Sequence, residues 1–198
     1  MDFLPVWSNG ERVYAGFWKR LWAGLIDLII TVPIWYIPSR FQSANKAIAI
    51  PTVVASYLLF WLYNVYFNAR FGGTLGKLAV GIRITKPNGH PVYWAEAFKR
   101  SSVDFLFTLV YLYVFVGALL PVNQELYSSL EFFERHDLLK SHRPSWFNLV
   151  DILQQVWFWS ELVILLFNKR RRAAHDFIAG TVVIRKKFAE QGVPPDRR

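Results

Sequence analysis

The sequence predicts an all-α membrane protein, a four-span transmembrane helix bundle with a short cytoplasmic β-hairpin-like element. Three observations predict it. The chain has 198 residues, of which 54% are hydrophobic and 19% charged, and a positive mean hydropathy of +0.22. Roughly 80 of them fall in four separate apolar runs of about twenty, and about twenty helical residues cross a hydrocarbon slab about 30 Å thick. The aromatic content of 18%, including nine Trp and nine Tyr, suits side chains that settle at the lipid headgroup level. This composition excludes a disordered chain, and the absence of cysteine excludes disulfides, thiolate catalysis, iron–sulfur clusters and zinc knuckles.

Residues 1–16 read as an N-terminal cytoplasmic lead-in, 17–186 as the membrane domain and 187–198 as a basic cytoplasmic tail. Span one covers 17–37. Its apolar run follows Lys19 and Arg20 but is interrupted by Asp27 and lacks a small-residue cleavage site, so a retained helix is expected in place of a signal peptide. Pro33 and Pro38 predict a kink or a stop near its end. Span two covers 47–67 after Asn45, span three 103–122 after Ser101 and Ser102, and span four 149–167. Between spans two and three, Thr74 to Val80 fits a short amphipathic helix, and Ile82-Arg83-Ile84-Thr85 alternates as a strand before the turn signal Lys86-Pro87-Asn88-Gly89. Aligning Gly81 with Gly180 sets Leu78 to Ile84 beside Phe177 to Val183, two short helical stretches that each pass through Gly into a β-branched run. The two strands are expected to pair beneath the membrane. The segment 123–148, with Glu131, Glu134, His136, Asp137 and His142, reads as an external insert that forms an amphipathic surface helix.

Charge placement sets the orientation. Lys and Arg number three before or at the start of span one, six between spans two and three and nine after span four, against two and three in the other two loops, 18 to 5 in all. Both termini and the central loop are therefore expected in the cytoplasm of a bacterial inner-membrane protein. The net charge of +9 flanks the apolar runs and forms no long patch. The expected partners are the bilayer and anionic lipids at the cytoplasmic face, and no nucleic acid.

The residues able to carry chemistry lie on polar stripes. In span one Arg20, Gly24, Asp27 and Thr31 share a helical face. In span four Asp151, Gln154, Phe158 and Glu161 do the same. Asp27 sits seven residues beyond Arg20, roughly 10 Å deep, and Glu161 eight residues before Lys169, roughly 12 Å deep, at 1.5 Å per residue. Two carboxylates at similar depth can share a proton or a cation if their helices touch. The bland alternative for Asp27 is a structural pair with Arg20, Arg100 or another base. The stripes Tyr57, Trp61, Asn64, Asn68 and Arg100, Asp104, Thr108, Tyr111 read mainly as helix-packing polar contacts, with Arg100 and Asp104 spaced for an i,i+4 pair. Gly72-Gly73-Thr74-Leu75-Gly76-Lys77 misses the phosphate-loop pattern, because its first Gly is displaced and Leu78 stands where Ser or Thr is needed. No metal-ligand spacing, nucleophile elbow or kinase motif occurs, so neither an enzyme nor a cofactor is expected.

Three ordered motifs resemble the RDD family of bacterial membrane proteins: Phe17-Trp18-Lys19-Arg20 to Leu25-Ile26-Asp27, Gly73-Thr74-Leu75-Gly76-Lys77 to Ile84, and Ala174-His175-Asp176 to Val183. The likeness runs from about residue 14 to 186. It implies that Arg20 is the family arginine, Asp27 the aspartate of the first helix and Asp176 the second aspartate, with Lys77 and Arg100 at basic positions of the family pattern. It also implies transport, with cation/proton antiport proposed for some members. The insert at 123–148 departs from the short turn common in the family.

Two functions compete. One is a transporter of a cation or small solute coupled to protons, using Asp27 and Glu161 as titrating groups and Arg20 as a tuning charge. Four spans are few for a pathway, so a homo-oligomer is expected with it. The other is a non-catalytic scaffold or assembly protein in which Arg20, Asp27, Lys77, His175 and Asp176 form a structural clasp, with Lys77 and Asp176 as a pair. Gly76, Arg100 and Asp104 belong to the same cytoplasmic motif.

Overall fold

Four helices are long and apolar enough to cross a membrane: α1 (Phe17–Gln42), α2 (Lys46–Phe71), α5 (Ser102–Leu119) and α8 (Phe147–Phe167). The computed structural model describes residues 3–42 and 45–190, so the part of the basic tail from 191 onward lies outside the described residues. Much of the helices' apolar surface faces outward, as with Ile29 (71% exposed), Tyr113 (72%) and Phe167 (87%). A soluble helix would bury such residues, and a lipid-facing helix exposes them. Helix α1 does not stop at its prolines: Pro33 and Pro38 both lie inside it, and it runs five residues beyond the expected end.

The chain divides into two compact units. The first takes Met1–Ile30, Leu62–Val103 and Val156–Arg198. Besides portions of the long helices it holds α3 (Leu75–Ala79), β3 (Ile82–Thr85), α4 (Trp94–Arg100), α9 (Ala174–Ile178), β4 (Val182–Arg185) and α10 (Lys186–Glu190). Strands β3 and β4 pair antiparallel, Ile82 opposite Arg185 and Thr85 opposite Val182. The echo seen in the sequence is structural: α3 and α9 are each five residues long, and each passes through a left-handed glycine, Gly81 (φ 70°) or Gly180 (φ 65°), before its strand. The left-handed turn closes a helix end without a Cβ clash.

The lead-in is also ordered. Strands β1 (Trp7–Ser8) and β2 (Glu11–Arg12) form a hairpin whose turn residues Asn9 and Gly10 both have positive φ. The chain then runs beside β4, with Ala15 N–H donating to the Val183 carbonyl at 2.9 Å and Arg185 N–H to the Val13 carbonyl at 2.9 Å. This brings Leu4, Val13 and Tyr14 onto Val182, Ile184 and Phe188, and Ala15 and Ala23 onto Ile82, Ile84 and Val183. The two apolar clusters hold the sheet in place, and the Tyr14 hydroxyl donates to the Leu4 carbonyl at 2.7 Å.

The second unit takes Thr31–Trp61 and Asp104–Gln155. In it the insert forms two short helices, α6 (Gln124–Ser129) and α7 (Phe132–Ser141), where one had been expected. The Asn123 side chain caps α6 by accepting from Glu125 N–H at 2.8 Å. The two helices pack Tyr127 and Leu139 against Ala49, Ala118, Leu119 and Val122. Lys46 Nζ donates to the carbonyls of Leu120 (2.8 Å) and Val122 (2.5 Å), just beyond the end of α5. Arg135 Nε donates to the Tyr127 carbonyl at 3.0 Å and its guanidinium covers that ring at 4.8 Å.

Candidate functional site: a buried arginine–aspartate clasp

All of the described site lies in the first unit. Its centre is Asp176, fully buried, at the third position of α9. An aspartate there reaches back to the start of its own helix, and Oδ2 accepts from Ala173 N–H at 2.9 Å. The same oxygen accepts from Arg20 Nη1 at 2.8 Å. The other oxygen accepts from Arg100 Nη1 and from Thr181 Oγ1 at 3.3 Å. A carboxylate has about four acceptor positions, and here all are used. Two arginines, one opening α1 and one closing α4, are thus tied to one carboxylate on α9.

The surrounding bonds fix both arginines. Arg20 Nη2 donates to the Arg171 carbonyl, and Arg100 Nη1 to Thr181 Oγ1 at 2.9 Å. Arg172 completes the loop, with Nη2 donating to the Asp176 carbonyl (2.9 Å) and Nε to the Thr181 carbonyl (3.0 Å). Burial would raise the Asp176 pKa, but Arg100 and then Arg20 outweigh it and hold the carboxyl well below its ordinary value.

His175 joins this centre to Glu161. Its Nε2 faces Arg100 Nη2, and an arginine can only donate, so Nε2 is the accepting nitrogen. The ring hydrogen then sits on Nδ1, which faces Glu161 Oε2. Glu161 Oε1 also accepts His175 N–H at 2.8 Å. Burial first and Arg100 second pull the His175 pKa below its ordinary value, so the neutral tautomer is favoured.

Asp27 is held in a second cradle. Its Oδ1 accepts from the Tyr63 hydroxyl (2.6 Å) and from Gly76 N–H (2.8 Å), and its Oδ2 from Thr74 Oγ1 (2.5 Å). The cradle needs Gly76: a Cβ there would stand 2.2 Å from the Ala23 carbonyl oxygen and 2.8 Å from the Asp27 carboxylate. Lys77 Nζ donates to Thr74 Oγ1 at 3.0 Å, so one hydroxyl links the lysine to Asp27. Burial first, and the Arg100 charge second, lower the Lys77 pKa to about 8, with Asp27 pulling the other way.

Of the residues expected to act together, the structure joins Arg20, Arg100, His175 and Asp176, with Glu161 behind His175. The partners of Asp27 described above are Tyr63, Thr74 and Gly76, while those of Glu161 come from His175. The expected Lys77–Asp176 pair is replaced: Asp176 is bridged to Arg20 and Arg100, and Lys77 bonds to Thr74. Arg100 ends α4 and Asp104 lies in the first turn of α5, and the Arg100 guanidinium goes to Asp176. Sequence reasoning missed Tyr63, Thr181 and Arg172. Thr181 had a signal, since it begins the β-branched run after Gly180. Tyr63 had none, lying off the polar stripe assigned to span two. Among the described residues no group of three His, Asp or Glu side chains is placed to hold a metal.

Four membrane-length helices, together with an arginine in the first of them closed onto an aspartate beyond the fourth, define a multi-span membrane protein with a buried polar clasp. The chain belongs to the RDD family, whose model matches residues 14–180. It is also similar to the uncharacterized protein YckC of Bacillus subtilis (strain 168), 33% identical over 94 residues. That match covers 45% of this chain and 58% of the relative, less than two thirds of the relative's length. No solved structure matches the chain.

Proposed function

We propose that the chain is a multi-pass protein of the bacterial cell membrane, with both termini in the cytoplasm, that serves as a non-catalytic assembly protein. The excess of Lys and Arg, 18 to 5, supports that orientation. One observation carries the assembly reading: Asp176 is fully buried and spends its acceptors on Arg20, Arg100, Ala173 and Thr181. A carboxylate committed in this way organises three helices and leaves little capacity for a moving ion. The clasp then presents the loops on either side of it in a fixed arrangement for a homo-oligomer or a partner protein. A reporter fused to the C-terminus is expected to read cytoplasmic, and an external signal overturns the orientation.

Transport of a cation or small solute coupled to protons is the second reading. A specific observation favours it: Lys77, with a pKa of about 8, and His175 both feel the Arg100 charge, and Glu161 faces His175. One experiment separates the two. Reconstituted protein is assayed for proton flux driven by monovalent cations, and its oligomer is sized by native mass spectrometry. Assembly predicts flux no greater than in empty vesicles and an oligomer that weakens in Asp176→Asn. Flux that Asp27→Asn or Glu161→Gln abolishes would replace assembly with transport.

A further inference from the structure

We propose that the loop closing α8 forms a binding site for the phosphodiester headgroup of an anionic phospholipid. The site is an open hollow of about 500 Å³ in the first unit, whose charged walls are Arg12, Lys169 and Arg171 and whose apolar walls include Trp7, Leu166 and Phe167. This inference rests on the orientation proposed above, which puts the end of α8 at the inner surface.

The three cations are available. Among the described residues their charged ends make no hydrogen bond or ion pair, while neighbouring basic residues do: Arg185 and Lys187 are both spent on Glu11, at 2.8 and 2.5 Å. No acid lines the hollow. Three like charges held together without a counter-ion repel one another, and a phosphate offsets that repulsion. Arg12 is also held in place, its guanidinium lying 5.0 Å over the Trp7 ring.

The apolar walls select a lipid over a free anion. Phe167 is 87% exposed, Trp7 56% and Leu166 48%, and they continue the lipid-facing surface of α8 into the hollow. Tryptophan at such a boundary favours the headgroup level, where one end of the ring is apolar and the other wet. A headgroup seated among the cations would therefore have its acyl chains on apolar side chains.

The loop is also built to present these charges. Arg171 has a positive φ of 52°, a conformation rarely taken by a residue with a side chain. It is held there by Arg171 N–H donating to the Asn168 carbonyl at 2.9 Å and by Arg20 of the clasp donating to the Arg171 carbonyl. A strained residue retained by surrounding bonds often marks a ligand site. The clasp and the lipid site thus share Arg20, one through its ion pair and the other through its backbone contact.

The test titrates the detergent-purified full chain with phosphatidylglycerol, phosphatidylcholine or inorganic phosphate and counts bound molecules by native mass spectrometry. Saturable phosphatidylglycerol binding is expected, and Arg12→Gln/Lys169→Gln/Arg171→Gln should weaken it on the order of 100-fold, from the attraction each cation contributes near an anionic lipid. A control, Arg70→Gln/Lys99→Gln/Lys186→Gln, removes the same charge from exposed positions of the same unit and should bind as the unaltered protein does. Equal weakening in the control overturns the site in favour of diffuse charge. Inorganic phosphate that displaces the lipid at equal concentration overturns the lipid assignment in favour of a soluble anion. Flux and oligomer size are read on separate samples, so loss of this site leaves the assembly reading standing.

Discussion

Replacing Asp176 by Asn should be among the most destabilising single changes in the chain, and the clasp geometry sets its size. The amide is nearly isosteric but uncharged, so it strands two guanidiniums, Arg20 and Arg100, whose side chains are 14% and 6% exposed. Removing one partner of a buried ion pair costs about 3–5 kcal/mol, because the other charge stays behind unpaired. Arg20→Gln should cost less, about 1–3 kcal/mol, since Asp176 keeps Arg100, Ala173 and Thr181 as donors. The two changes should not add, because Arg20 has no carboxylate left to lose once Asp176 is gone. Reversible denaturant titration in micelles, followed by the fluorescence of the nine tryptophans, measures all three variants. Asp176→Asn no worse than Arg20→Gln, or strict additivity in the double variant, would refute the clasp. The pH dependence supplies a second check. The Asp176 pKa is depressed, so its stabilisation is full above the unfolded carboxylate value of about 3.9 and is lost as pH falls from there through the folded value. The gap between the unaltered protein and Asp176→Asn should hold from pH 5 to 8 and close below about pH 4.

Three further outcomes are expected. Gly76→Ala should destabilise by about 1–3 kcal/mol, the usual cost of overpacking, because its Cβ meets backbone at 2.2 Å; equal melting points in the two proteins would show that α3 can shift away freely. His175 is held neutral with a lowered pKa, so its contribution is full above the unfolded value of about 6.5 and falls as the solution is acidified; His175→Gln should remove the loss of melting temperature between pH 7 and 5, and an unchanged slope would count against the neutral tautomer. Lys77 must stay charged near pH 7 in a site that lowers its pKa to about 8, so Lys77→Met should stabilise by about 1–3 kcal/mol at pH 7. That advantage should shrink as pH rises from 8 towards 10.5, and a loss of stability at pH 7 contradicts the burial argument.

The spans were legible because their signal is additive: twenty apolar residues identify a membrane helix wherever their neighbours lie. The helix–Gly–strand echo was legible for a local reason, since Gly81 and Gly180 both mark a left-handed turn at a helix end. Two features of the fold were less legible. Pro33 and Pro38 do not end α1, and a proline in a membrane-length helix is tolerated where its freed carbonyl finds another partner. The lead-in carries a hairpin turn at Asn9-Gly10, and its flanking strands are two residues each, too short to show alternation in a sequence.

The site was legible as a set of residues and not as a set of pairs. Helical spacing brought Arg20 and Asp27 to one face, and a structural pair with Arg20, Arg100 or another base was one of the two readings of Asp27. The structure sends them apart: Arg20 reaches Asp176, 156 residues away, while Asp27 is satisfied by a glycine N–H and two hydroxyls from 36 to 49 residues away. The physical reason is the number of donors. Asp176, fully buried, has two neutral donors, Ala173 N–H and Thr181 Oγ1, and needs opposite charge to remain ionised. Hydroxyls and backbone N–H groups carry no mark in a sequence, so the carboxylate they satisfy looks unpaired and attracts a functional reading. Asp176, in a five-residue helix beyond the last span, is where the clasp will fail first when it is cut.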